Sequence, residues 1–174
     1  MIKGKQIDLR HVDASELELL LRMNNDQEGK GEFGRTLLRS PAALKKDFEL
    51  NGLSSDANET FAIVDKANNI IGNISHFTVA HYSTVRELGF LISPSAQKKG
   101  VATEAVQLLT KYLFENFFIN RIQICMATGH KASERVAVNN GYTKEGILKG
   151  FIFVKGQYLD VFIYAITRDE FNKL

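Results

Sequence analysis

The chain has 174 residues, of which 44% are hydrophobic, so its size and composition are those of one domain with an ordinary core. Its 22 basic and 20 acidic residues give a net charge of +2, which argues against a general affinity for nucleic acid or for an anionic membrane. No apolar run approaches the roughly 18 residues of a membrane span, and the N-terminus has no long apolar core. We therefore predict a single soluble, cytoplasmic domain over residues 1–174.

The N-terminal segment has the pattern of a strand followed by a capped helix. Residues 6–10 favour a strand. Asp13, followed three positions later by Glu16, is typical of a capping box, and a helix is expected to run from there to about Met23. Residues 24–40 contain glycine and charge but little periodicity, so a loop is predicted there.

A second helix and a hairpin follow. Ser40 and Pro41 have the order of an N-cap and a first helical residue, which predicts a helix to about Leu50. Residues 60–64 and 70–77 are strand-like runs joined by a short turn that contains two asparagines, and this arrangement predicts a β-hairpin.

The centre of the chain predicts a strand, a long helix and a second strand. Residues 85–92 are apolar enough for a buried strand, residues 101–115 have helical periodicity, and residues 120–127 are again strand-like. This order indicates that the two strands are parallel in one sheet. Cys125 lies in the second strand; a lone cysteine excludes an internal disulfide, and a buried thiol without a catalytic role is expected.

The last third predicts a short helix and two strands. Residues 129–142 read as a helix that ends at Gly141, and residues 142–150 and 158–167 read as strands. The architecture predicted is one α/β domain with a mixed sheet. Core positions are expected for the aromatic residues at the end of the long helix and in the last strands, which are Phe114, Phe117, Phe118, Phe151, Phe153, Tyr158, Phe162 and Tyr164.

The turn before the long helix has the features of an anion site. The first N–H groups of a helix lack intrahelical partners and point outward with the positive end of the dipole. Gly100 and Ala102 allow a phosphate to approach these amides, and Lys98 and Lys99 add positive charge. With Gln97, these residues resemble the pyrophosphate loop of the GCN5-related N-acetyltransferases (GNAT), Gln/Arg-x-x-Gly-x-Gly/Ala.

Three segments together extend this resemblance over residues 6–170, and it is strongest to the RimJ/RimL-like branch. They are Glu87–Phe90 with Pro94 and 97–105, then Asn120–Ile122 with 132–136 and Gly141–Tyr142, and last Glu145–Gly146 with 156–161 and Tyr164. The resemblance implies a mostly antiparallel sheet that splays between two parallel central strands, with helices on both faces.

The resemblance also implies acetyl-CoA as co-substrate and no metal. The diphosphate is expected on the amides of residues 97–103, and the pantetheine arm along the backbone of residues 91–93. The residues implied in binding are Leu91, Ile92, Ser93, Gln97, Lys98, Lys99, Gly100, Val101, Ala102, Thr103, His130 and Ser133.

The resemblance leaves the catalytic roles more open than the CoA-binding roles. Glu87 is the candidate for general base or for ligand of the substrate ammonium, with a surface glutamate in a cross-strand pair with Arg86 or a neighbour as the competing interpretation. His76 and His81 are alternatives for the base, although surface or loop positions are expected of both. Ser133 matches the serine that takes the role of general acid in the RimL-like branch.

Two positions depart from the family pattern. His130 stands where many members have an asparagine that contacts the pantetheine arm, and Ala137 where many have a catalytic tyrosine. These departures leave open an alternative function, a CoA-binding sensor with weak or no turnover.

The predicted activity is transfer of an acetyl group to a primary amine by direct attack. The acceptor, a protein N-terminus or a small-molecule amine, is left open because its pocket is expected in residues 24–58 and 78–86, where the resemblance is loosest. No nucleic acid or membrane partner is expected, and a homodimer is possible.

Overall fold

The computed structural model describes residues 1–35 and 37–174. Thr36, which falls in the predicted acceptor segment, lies outside the described residues. The strands are β1 (Ile2–Lys3), β2 (Ile7–His11), β3 (Ser54–Ser55), β4 (Asn58–Asp65), β5 (Ile70–Thr78), β6 (Arg86–Ile92), β7 (Arg121–Ala127), β8 (Thr143–Val154) and β9 (Gln157–Thr167). The helices are α1 (Leu17–Asn25), α2 (Pro41–Asn51), α3 (Val101–Asn116), α4 (Lys131–Asn139) and α5 (Arg168–Phe171).

The predicted caps and turns form as expected. The Glu16 carboxylate accepts the Asp13 N–H at 2.8 Å, and Ser40 Oγ accepts the Ala43 N–H at 3.2 Å at the start of α2. Asn68 has a φ of +67° in the turn between β4 and β5. These local signals placed the major helices and strands, whereas the short elements β1, β3 and α5 were not predicted.

The strands form one sheet in the order β1-β2-β4-β5-β6-β7-β9-β8, with β3 paired to β4. Neighbours are antiparallel except for β6 and β7, which are parallel and are connected by α3. This confirms the predicted mixed, mostly antiparallel sheet and the parallel pair at its centre.

The sheet has two faces, which we name the α3 face and the α1 face. On the α3 face, the strands pack against α3 and α4 in the larger core, which includes Leu9, Phe61, Ile74, Leu88, Ile122, Leu109, Ala137 and Tyr164. On the α1 face, a smaller cluster joins the sheet to α1 through Ala62, Val64, Val12 and Leu20. Side chains alternate between the two faces along each strand, so neighbouring residues of one strand serve different layers.

Several aromatic residues do not lie in the core, and their prediction was wrong. Phe118 is 98% exposed, immediately after α3. Phe151, Phe153 and Tyr158 are also exposed, because β8 is an edge strand and the tip of the β8–β9 hairpin extends past the helices. Strand alternation predicts which residues share a face, but it does not predict whether anything covers that face.

His76 is buried, contrary to the surface position expected. It is 1% exposed on the α3 face, and its Nε2 lies 3.2 Å from Glu59 Oε2. The other oxygen of Glu59 lies 2.7 Å from Nε2 of the more exposed His11. The hydrogen bonds to His76 and His11 lower the pKa of Glu59 although burial opposes this. His76 is therefore part of a buried polar cluster on the α3 face, opposite Leu88 of β6.

Arg168 ties the last strand to the end of α3. Its guanidinium donates to the carbonyl oxygens of Phe114 at 2.6 Å, Phe117 at 2.8 Å and Ile119 at 2.8 Å. Carbonyls at a helix C-terminus have no intrahelical donor, and a cation there also interacts favourably with the helix dipole. Arg168 thus closes the C-terminal end of the helix whose N-terminal end faces the site described below.

Among the described helices, none has both the length and the apolar character needed to cross a bilayer.

Candidate active site

The site is built around an opening in the middle of the sheet. The register between β6 and β7 comprises Arg86 opposite Ile122 and Glu87 opposite Gln123, after which the two strands diverge. The rest of β6 remains paired to β5, and the rest of β7 remains paired to β9. A wedge-shaped gap therefore lies between residues 88–92 and residues 124–127, as the resemblance implied.

Backbone groups of β6 face this opening. The Ser93 N–H donates to Ile71 O at 2.9 Å, which directs the hydrogen-bonding groups of Ser93, and those of Leu91 two residues earlier, toward β5. Those of Phe90 and Ile92 consequently point to the opening. Within the predicted range 91–93, Ile92 is thus the residue whose N–H is available to a ligand in the gap.

The turn after β6 presents the start of α3. Gln97 Nε2 donates to Ile92 O at 3.0 Å, which ties the turn to the end of the strand. Lys98 and Gly100 have φ values of +61° and +81°, and Gly100 is the N-cap residue without a capping side chain. The N–H groups of the first helical turn, in residues 101–103, are therefore left for an external acceptor. Lys98 and Lys99 are both exposed beside them.

Gly100→Val is expected to weaken CoA binding about 30-fold or more, since a β-branched residue both occupies the approach to the amides and resists a positive φ. A Cβ at this position would also lie 3.2 Å from Gln6 Nε2. Calorimetry with CoA measures the effect. Gly156→Val is the matched control, because Gly156 has a φ of +84° in the β8–β9 turn and open space around it. Unchanged CoA affinity in Gly100→Val would place the phosphates elsewhere.

Glu87 lies on the α1 face, at the point where the two strands part. Its Oε2 accepts a hydrogen bond of 2.7 Å from Gln123 Nε2 on β7. Arg86 does not pair with it; Arg86 Nη2 donates to Asp56 O at 3.1 Å instead. The pair with Arg86 is therefore not formed, whereas a cross-strand pair with a neighbour, Gln123, is formed. The role of Glu87 as base stays a prediction.

Cys125 follows two residues after Gln123 on the same face of β7. Burial is the main cause that raises the pKa of its thiol to about 12, and the nearby Glu87 carboxylate acts in the same direction. At neutral pH the sulfur is therefore a thiol and a poor nucleophile. This agrees with the inert role predicted, although the side chain is only partly buried.

Ser133 and His130 lie at the start of α4, the helix that packs on the α3 face, whereas Glu87 lies on the α1 face. Ser133 is 9% exposed in the first turn of α4, on the α3 face, and its N–H donates to His130 Nδ1 at 3.3 Å. His130 is thus the N-cap of α4. Its ring also stacks on Phe33, with centroids 4.8 Å apart. Nε2 is the nitrogen left for a ligand, so the predicted contact with the pantetheine arm stays a prediction.

Acid should destabilise the fold through His130. Burial lowers its pKa below the ordinary 6.5, so the unfolded chain binds a proton at a higher pH than the folded one. The stability contributed by the neutral ring is fully present above pH 6.5 and decreases as the pH falls below that value. We expect this decrease to be smaller in His130→Asn, which keeps an N-cap side chain.

Urea unfolding of both proteins at several pH values between 5 and 8 measures the difference. His81→Asn is the control, because His81 is exposed in the turn before β6 and should leave the pH dependence of the parent unchanged. Parallel curves for parent and His130→Asn would mean that the ring is as solvated in the folded chain as in the unfolded one.

The loop between α1 and α2 spans the opening on the α1 face. At one side, Gly29 lies against Pro94, and residues 23–29 form a small recess with the end of β6. At the other side, Phe33 covers Gly129 and His130, and the Gly31 carbonyl accepts from Lys155 Nζ at 3.1 Å. The segment predicted as a loop therefore contacts both sides of the gap.

A cavity of about 580 Å³ lies beside the opening on the same face. It is enclosed by α1, α2, β4 and β5, and Asn73 and Ser75 in its floor pair with Leu91 and Gly89 of β6. Asp47 is the acidic residue among its described lining residues, and it is bound to Arg39. The cavity coincides largely with the predicted acceptor segment 24–58, whereas residues 78–86 do not line it.

Gln123 is the site residue that the sequence reasoning missed. It is a polar residue in a strand whose other residues from 122 to 127 are apolar or cysteine, and it is 7% exposed. A buried amide in an apolar strand needs a partner, and this was the signal available. Phe33 carried no such signal, because its contact with His130 depends on the path of a loop.

Among the described residues, no group of three or more His, Cys, Asp or Glu side chains is placed to hold a metal ion.

Comparison with known proteins identifies the class. A family model described as "Acetyltransferase (GNAT) domain" matches residues 6–143. The chain belongs to this family of N-acetyltransferases, as its pyrophosphate-loop pattern indicated. It is 29% identical over 103 residues to a putative ribosomal N-acetyltransferase of Bacillus subtilis (strain 168), a match over 59% of this chain and 56% of the relative. The match thus spans a little over half of that relative's length.

Two solved structures show the same fold. Spermidine N-acetyltransferase from Vibrio cholerae, in complex with CoA and spermine, has a TM-score of 0.86 and 20% identity, over 97% of this chain and 99% of that one. RimL, a ribosomal L7/L12 alpha-N-protein acetyltransferase in complex with coenzyme A, has a TM-score of 0.85 and 22% identity, over 97% and 98%. The predicted fold class is confirmed, and ribosomal-protein acetyltransferases are among the relatives, as expected.

Proposed function

We propose that the protein transfers the acetyl group of acetyl-CoA to a primary amine by direct attack within a ternary complex. The observation that supports this most is the opening between β6 and β7. On the α3 face the opening lies next to the uncapped start of α3. On the α1 face it lies next to Glu87 and the cavity beside β5. Two substrates can therefore reach one point from opposite faces of the sheet.

The residues present fit CoA. The diphosphate would rest on the amides of residues 97–103, with Lys98 and Lys99 beside it. The pantetheine arm would run along β6 and bond to the Ile92 N–H. Relatives with the same fold have been solved with CoA, which supports this assignment.

In this proposal Glu87 accepts a proton from the acceptor ammonium. An ammonium has no lone pair, so it must lose a proton before its nitrogen can attack the acetyl carbonyl carbon. Glu87 Oε2 accepts a hydrogen bond from Gln123 at 2.7 Å, and the Cys125 thiol also interacts with this carboxylate. Oε1 is the atom assigned to accept the proton, directly or through one water.

Ser133 acts on the sulfur of the leaving CoA. The N–C bond forms, the C–S bond breaks, and the leaving thiolate needs a hydrogen-bond donor. The Ser133 hydroxyl lies on the α3 face beside the opening and is assigned to orient the thiolate, or a water that protonates it. Its own pKa is far too high for it to act alone as an efficient acid.

Direct attack is favoured over an acetyl-enzyme. A covalent route needs a nucleophile in the opening, and Cys125 is the thiol of this chain. The raised pKa of Cys125 keeps it protonated, and its neighbour Glu87 opposes a second negative charge. The acetyl group is therefore expected to pass straight from sulfur to nitrogen.

The cavity indicates the kind of amine. A polyamine carries several positive charges and needs several free carboxylates. The described lining of the cavity includes Asp47, which is bound to Arg39, together with Lys30 and several neutral amides and hydroxyls. We infer an acceptor with one ammonium, such as a protein N-terminus or a small monoamine, in preference to spermidine.

The test is an acceptor screen. The protein is incubated with acetyl-CoA and, in separate reactions, with N-terminal peptides, small monoamines, an aminoglycoside and spermidine. Thiol release is followed, and mass spectrometry detects the gain of one acetyl group. We expect release matched by acetylation of a monoamine or a peptide. Saturable CoA binding without thiol release from any acceptor would instead identify a CoA-binding sensor.

A further inference from the structure

Gln123 and Glu87 form the last residue pair before the two central strands separate. Their side chains are bonded to each other on the α1 face, with Gln123 Nε2 2.7 Å from Glu87 Oε2. The amide must present its nitrogen here, because a carboxylate accepts hydrogen bonds and does not donate them. The bond thus spans the narrow end of the opening.

The position of Gln123 is costly for a polar residue. It is 7% exposed, and its neighbours Ile122 and Ile124 belong to the large core on the other face. Burial of an amide without a hydrogen-bond partner is unfavourable. An apolar residue would fill this strand position without that cost. The amide is therefore best explained by what it binds.

We propose that Gln123 is a positioning residue, whose amide holds the Glu87 carboxylate at the mouth of the opening with Oε1 directed to the acceptor amine. This inference rests on the proposed function. A glutamate side chain has three rotatable bonds, and one hydrogen bond from a buried, strand-anchored donor removes much of that freedom.

The charged groups nearest Glu87 form hydrogen bonds elsewhere. Arg86 Nη2 donates to Asp56 O, although its buried Nε has no partner in the described part of the chain, and Arg121 at the start of β7 forms a bidentate pair with Glu145. Cys125 remains a neutral thiol at the pH of the reaction, and it also interacts with the Glu87 carboxylate. Among the described residues, the Gln123 amide is the nitrogen donor that binds this carboxylate.

Two variants of Gln123 test the role. Gln123→Met keeps the length of the side chain and removes the donor, whereas Gln123→Glu replaces the donor with a second carboxylate. NMR measurement of the Glu87 side-chain couplings, which report how many rotamers are populated, is the first readout and needs no substrate. We expect the parent to hold one rotamer and both variants to populate several, because the hydrogen bond that fixes the carboxylate is lost. Rotamer populations that stay unchanged in both variants overturn the proposal.

Kinetics are the second readout, with the acceptor found in the screen. We expect Gln123→Met to lower kcat about 5- to 30-fold with CoA affinity unchanged, which is less than the roughly 100-fold that a 1 Å misplacement can cost. The acid limb of the pH–rate profile should move upward in Gln123→Glu. In a Glu87→Gln background, Gln123→Met should cause little further loss, because the two residues act as a unit.

The outcomes separate the two claims. An equal loss from Gln123→Met with and without Glu87 would show that Gln123 only maintains the sheet, and it would overturn the inference. If Glu87→Gln is slow but Gln123→Met keeps the parental rate and pH–rate profile, the inference is overturned and the proposed function remains intact. Absence of acetyl transfer by the parent overturns the proposed function and, with it, the positioning role.

Discussion

Glu87→Gln is expected to lower kcat for acetyl transfer about 100- to 1,000-fold at neutral pH, which is within the range that a general base contributes. Glutamine has the size of glutamate and preserves the packing at the mouth of the opening, but it does not accept the proton of the ammonium. The loss should therefore be largest at low pH and smaller where the amine is already neutral. CoA affinity should stay at the parental value.

The measurement is a pH–rate profile of parent and variant with the same acceptor. Glu115→Gln serves as the control, because Glu115 is an exposed carboxylate at the end of α3 that pairs with Lys111, and its loss should leave the rate within about twofold. Ser133→Ala should lower kcat without the dependence on amine protonation. Coincident profiles for parent and Glu87→Gln would remove Glu87 from the role of base.

Arg168→Ala is expected to lower the free energy of unfolding by about 3 kcal/mol, since hydrogen bonds to charged groups contribute about 1.5–3 kcal/mol each and do not add fully. Three carbonyl groups at the end of α3 would lose their donor together. Arg168→Lys should restore only part of the loss, because an ammonium cannot reproduce the planar fork of the guanidinium.

Urea denaturation measures this loss. Arg22→Ala is the control: Arg22 lies on α1, pairs with Glu18 and is 72% exposed, so its removal should cost less than about 0.5 kcal/mol. A loss below 1 kcal/mol for Arg168→Ala would mean that water replaces the guanidinium at little cost.

The fold was largely predictable because its signals are local. The Ser40–Pro41 helix start, the turn at Asn68 and the change from strand to helix near Gly100 each depend on a few adjacent residues. The parallel central pair followed from the connection through a long helix. The prediction that failed was burial: Phe151 on the edge strand β8 and Tyr158 at the start of β9 follow the strand pattern, but both side chains are exposed.

The residues of the candidate site also divide into those that local sequence predicts and those that depend on contacts between distant segments. The turn of residues 97–103 was found from consecutive residues, and Glu87 from its place before that turn. The contact of Gln123 with Glu87 joins residues 36 positions apart, and that of Phe33 with His130 joins residues still farther apart. Both depend on how strands and loops meet in space. His130 was recognised as unusual, but its capping of α4 required the backbone geometry of the turn.

The short pairing of β6 and β7 has a thermodynamic consequence. Because these strands share few backbone hydrogen bonds, the sheet consists of two half-sheets, β1–β6 and β7–β9, joined at one narrow point and by the helices on the α3 face. A molecule that binds in the gap and contacts both halves links them in the folded state only. By linkage, a ligand at 100 times its Kd adds about 2.7 kcal/mol to the stability of the fold. Cofactor supply would then set not only the rate of the enzyme but also how long each copy survives unfolding and proteolysis.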